Sequence, residues 1–76
     1  MKSEYKIRLS ETSDVKDFVT SAEKCDFDID ISYNRFIIDA KSILGVLSLD
    51  LTKVLTVKCA ERNAEFEKTM RKYCVG

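Results

Sequence analysis

The sequence predicts an α+β fold: an open-faced β-sandwich, a four-stranded antiparallel sheet covered on one face by helices, in the order β-α-β-β-α-β-α. Three observations carry that expectation. Three short segments alternate apolar and polar residues with a period of two, the pattern of strands with one wet face, and the apolar run Phe36 to Ile38 supplies a fourth strand. Two longer segments set their apolar residues on a single helical stripe. Asn34-Arg35 joins the second alternating segment to the run Phe36 to Ile38 closely enough for a hairpin, since Asn tolerates positive φ. Four one-sided strands need their apolar face covered, and two amphipathic helices can cover it.

Taken in order, Tyr5, Ile7 and Leu9 alternate with Lys6 and Arg8 in the first strand. Ser10 to Asp14 is a polar connector, and either Ser13 or Asp14 can cap the helix that follows. Its apolar stripe is Val15, Phe18, Val19 and Ala22, at i, i+3, i+4 and i+7. Phe27, Ile29, Ile31 and Tyr33 alternate with Asp28, Asp30 and Ser32, and Phe36-Ile37-Ile38 returns, so Phe27 to Ala40 reads as a hairpin. Lys53 to Cys59 supplies a fourth strand with Leu55, Val57 and Cys59 on one face. Asn63 can cap the last helix, where Phe66, Met70, Tyr73 and Cys74 share a face and Glu67 and Arg71 form an i, i+4 pair.

Seventy-six residues read as one domain, 1–76, near the lower size limit for an independent core. Such a domain buries only about 60% of the surface its unfolded chain exposes. Thirteen basic residues balance thirteen acidic ones, so bulk charge attracts neither nucleic acid nor membrane. No apolar run approaches the ~20 residues of a membrane span. The first residues do not read as a signal peptide, and a cytoplasmic location is the expectation. Cys25, Cys59 and Cys74 are odd in number and lack CxxC spacing, which suits reduced thiols acting as small hydrophobes. With no histidine in the chain, a zinc site would need a carboxylate ligand, and neither a metal nor another cofactor is expected.

The most informative stretch runs from Asp39 to Leu51. Ser42 is a good N-cap, and Ile43, Val46 and Leu47 fall at i, i+3 and i+4 of a short helix. Leu44 sits between them, and two turns cannot bury four apolar side chains. Val46 is expected in the core, with Ile43, Leu44 and Leu47 exposed.

The run Lys41-Ser42-Ile43-Leu44-Gly45-Val46-Leu47-Ser48-Leu49, entered from a strand, resembles the second helix of the histidine-containing phosphocarrier (HPr) proteins of the bacterial sugar phosphotransferase system. The flanking elements follow that family's order over nearly the whole chain. The resemblance implies that Ser42 is a site of regulatory phosphorylation and that Ile43, Leu44 and Leu47 dock protein partners. Those partners would be phosphotransferase-system enzymes, a serine kinase or a transcription regulator.

The family's phosphorylated histidine has no counterpart. Counting back from Phe18, which resembles the family's helix aromatic, puts Glu11 at the histidine position and Ser13 at that of a helper arginine. The loop also lacks the family's glycine and proline and reads as shorter. The expectation is therefore a non-catalytic regulatory or protein-interaction module, not an enzyme. One alternative is a phosphocarrier with a substitute acceptor in the Glu11 to Asp14 loop, where a carboxylate would form an acyl phosphate. Another is a chain that keeps only the fold. Asp50-Leu51-Thr52-Lys53 lacks the glycines that the family often carries there, which leaves the turn undefined.

Overall fold

The computed structural model describes residues 3–75. Its elements are β1 (Ser3–Ile7), α1 (Thr12–Glu23), β2 (Ile29–Tyr33), β3 (Phe36–Asp39), α2 (Ile43–Leu47), β4 (Leu55–Cys59) and α3 (Ala64–Tyr73). The four strands form one antiparallel sheet in the order β1-β4-β2-β3. Helices cover one face of it.

The register explains why the alternating pattern becomes a core. Val57 of β4 stands between Tyr5 of β1 and Ile31 of β2, so residues of like parity line one face across three strands. Ile7, Ile31 and Val57 are fully buried there under Val15 and Phe18 of α1 and Phe66 of α3. Phe66 meets Phe18 at a centroid separation of 6.1 Å and Tyr5 edge-on at 6.4 Å. The opposite face carries Glu4, Lys6, Lys58 and Asp30, all exposed.

Several local readings change. Helix α1 begins earlier than either Ser13 or Asp14 allows, with Glu11 at the N-cap. Asp14 instead occupies the third helical position, and its Oδ2 accepts from the amides of Ser10 at 3.0 Å and Glu11 at 3.2 Å. Strand β4 starts at Leu55, because Asp50 organises the preceding turn. Its Oδ1 accepts from the Thr52 amide at 3.1 Å and the Thr52 hydroxyl at 2.6 Å, doing locally what a glycine's freedom would otherwise do. Glu67 pairs with Arg62 rather than Arg71, receiving Nε at 2.8 Å and Nη2 at 3.2 Å. Cys74 leaves the helical stripe altogether: it lies beyond α3 and bridges to Ile7.

That C-terminal segment covers the outer edge of β1. Arg8 donates its amide to the Tyr73 carbonyl and Val75 donates to Lys6, each at 3.0 Å. The other edge strand, β3, has no such cover among the described residues.

Candidate functional site

Helix α2 is short and held from beneath. Ser42 Oγ accepts from the Gly45 amide at 3.3 Å, and the Ser48 hydroxyl closes the other end on the Gly45 carbonyl at 2.5 Å. Val46 is fully buried, packed into the common core. Gly45 lies against β3 so closely that a Cβ there would meet Ile38 Cγ2 at 2.6 Å. A side chain at this position would push the helix off the sheet.

With Val46 and Gly45 turned inward, the rest of α2 turns outward. Leu44 is 79% exposed, Leu47 39% and Ile43 36%. Ser42 is exposed beside them. Lys41 is tethered away from Ser42, its Nζ donating to the Cys25 carbonyl at 2.9 Å. Asp39 is engaged as well, accepting from the Lys41 amide at 2.9 Å.

The loop before α1 offers little chemistry. Glu11 and Ser13 are both exposed, 3.5 Å apart at their side-chain oxygens. Asp14 satisfies two of the amides there, so the loop's own carboxylate already answers the helix dipole. Among the described residues no cation forms an ion pair with Glu11 or Asp14. Nor do three metal-ligating side chains converge anywhere among them.

Sequence reasoning missed a neighbouring feature. Tyr33, Phe36, Ile38, Ser48, Leu49 and Asp50 line a groove of about 390 Å³ between β3 and the C-terminal end of α2. Phe36, at 65% exposure, stands at its rim. The signal was present: Phe36-Ile37-Ile38 are consecutive, and a strand cannot turn three consecutive side chains to one buried face.

No family model matches the chain, and no curated protein matches it either. Solved structures do. The chain is similar to the crystal structure of a phosphocarrier protein HPr from Bacillus anthracis str. Ames, with a TM-score of 0.71 and 21% identity over 96% of this chain and 95% of that one. The chain has the HPr fold. A second similar structure, HPr-C-His from Thermoanaerobacter tengcongensis, gives a TM-score of 0.64 and 22% identity over 93% of this chain and 83% of that one. The HPr fold thus brings the exposed face of α2 and the loop before α1 onto one chain whose α1 and α2 pack together. Among the described residues no helix is long and apolar enough to cross a membrane.

Proposed function

We propose that this chain, read as one domain over residues 1–76, is a non-catalytic HPr-like module of the sugar phosphotransferase system, regulating through protein contacts made by Ser42 to Leu49. The observation that carries the reading is the division of α2. Val46 fixes the helix in the core, while Ile43, Leu44 and Leu47 form an apolar surface around the exposed Ser42. The loop before α1 supports the same reading, since Glu11 and Ser13 stand where phosphotransfer would need a nucleophile and a cation. The partners are phosphotransferase-system enzymes, a serine kinase acting on Ser42, or a transcription regulator, in a bacterial cytoplasm.

The test is a titration of the isotope-labelled chain with the first enzyme of the phosphotransferase system, followed by backbone amide shifts. Shifts should centre on Ile43 to Leu47 and vanish in Leu44→Asp. Binding that survives Leu44→Asp unchanged, or shifts confined to another face, would overturn the assignment. Treatment with an HPr-type serine kinase and ATP should label the parent chain and not Ser42→Ala. Equal labelling of both would reduce Ser42 to a helix cap.

A further inference from the structure

The outer edge of β3 matches a second copy of itself. In the β2–β3 ladder Tyr33 opposes Phe36 and Ile31 opposes Ile38, and the Ala40 amide donates to the Ile29 carbonyl at 2.9 Å. Even-numbered residues of this segment therefore turn their main-chain groups inward to β2. Ile37 and Asp39 turn theirs outward, and Arg35 stands in the turn just before them. All three are exposed, Ile37 at 69%.

We propose that β3 pairs antiparallel with β3 of a second copy, about a two-fold axis at Ile37, and that this makes the chain a homodimer with a continuous eight-stranded sheet. It goes beyond the function proposed above and does not depend on it. Outward-facing residues must oppose one another in such a ladder, and the centred register does this. Ile37 meets Ile37, and Arg35 meets Asp39 of the second copy on both sides of the axis. On the helix face, the exposed Phe36 meets Ile38 of the second copy.

Charge favours this occupant. Within one chain Asp39 stands directly opposite Asp30, a like-charge pair whose cationic cross-strand neighbour, Lys58, lies on the far side of Asp30 and not beside Asp39. Among the described residues neither aspartate forms an ion pair, and neither does Arg35. The dimer brings a guanidinium to each aspartate pair. The main chain agrees in part: each Asp39 carbonyl already accepts from its own Ser42 amide at 3.0 Å, so the new bonds come from Ile37 in both directions and from the Asp39 amides. The opposite edge, β1, is covered by Tyr73 to Val75 and is closed to the same pairing.

Sedimentation velocity over a concentration series up to the millimolar range tests the proposal. The parent chain should pass from monomer to dimer. Ile37→Lys, which sets two ammonium groups together on the axis, should raise the dissociation constant by about tenfold or more. Arg35→Glu and Asp39→Lys should each do the same alone, while their equimolar mixture recovers the dimer, because every opposed pair is then of opposite charge. Circular dichroism checks that each variant is folded. Asp39→Lys loses a contact to the Lys41 amide, so Ile37→Lys and Arg35→Glu decide the matter if it fails to fold. A parent chain that stays monomeric throughout would overturn the proposal, as would dimers indifferent to Ile37→Lys and Arg35→Glu. Folded charge variants whose mixture stays monomeric would overturn the register.

Discussion

Leu44 and Val46 lie two positions apart on one short helix and have opposite surroundings, solvent for the first and the core for the second. Leu44→Asp should therefore change stability by less than about 0.5 kcal/mol in a urea titration. Val46→Ala should cost on the order of 2 kcal/mol, through lost burial and the cavity left behind. Gly45 provides the finer test. Alanine would gain about 1 kcal/mol of helix propensity but meets Ile38 Cγ2 at 2.6 Å, and overpacking of that kind costs about 1–3 kcal/mol. Gly45→Ala should be destabilising in the parent and stabilising in an Ile38→Ala background, where the obstructing methyl is gone. The caps at Ser42 and Asn63 were legible in the sequence because a cap is a local bond, here at 3.3 and 2.9 Å. The partner of Glu67 was not, because Arg62 reaches it from the turn before α3, outside the helical spacing that suggested Arg71.

The seam between α1 and α3 is where elements, rather than single residues, respond to pH. Asp17 of α1 accepts from Lys72 Nζ at 2.8 Å and from the Tyr73 hydroxyl at 2.6 Å. The Lys72 bond, then the Tyr73 bond, holds its carboxyl below the ordinary value of 3.8. Burial, then the Asp17 bond, pushes the Tyr73 hydroxyl above its ordinary 10.0. The carboxylate's stabilisation is present above its unfolded value and is lost as pH falls through the depressed one. That of the neutral tyrosine is present below 10.0 and is lost as pH rises through the raised value. In denaturation curves the advantage of the parent over Asp17→Asn should thus hold near neutrality and shrink in acid below 3.8. An advantage that persists undiminished in stronger acid would contradict the assignment. This seam had no sequence signature, since it joins residues 55 and 56 positions apart. The elements themselves did: the stripe Val15, Phe18, Val19 and Ala22 is wholly buried, and so is Leu55, Val57 and Cys59. Element ends were harder to read, because Glu11 and Asp50 set them through side-chain bonds to nearby amides that no hydrophobic period reports.

For the molecule as a whole, one covered sheet face accounts for the thiols as well as for the core. Cys25 and Cys59 are buried, and burial raises both, Cys59 to about 11; Cys74 lies exposed beyond α3. A thiol-reactive dye should therefore modify Cys74 promptly in the native chain and reach Cys25 and Cys59 only on unfolding. Rapid modification of all three cysteines in the native chain would contradict the packing. The fold was legible from periodicity because one-sided strands and one-sided helices admit few arrangements. The open β3 edge was less so, because edge and centre strands carry similar residues and only the sheet order separates them. The function proposed above divides along the same line: α2 presents an apolar surface, while Asp14 caps the loop before α1. The most direct test of that division is the intact mass of the chain after incubation with phosphoenolpyruvate and the first enzyme of the phosphotransferase system, beside a histidine-bearing HPr as positive control. The control should gain phosphate and this chain's mass should not change; a stoichiometric phosphate anywhere in Ser10 to Asp14 would contradict the account.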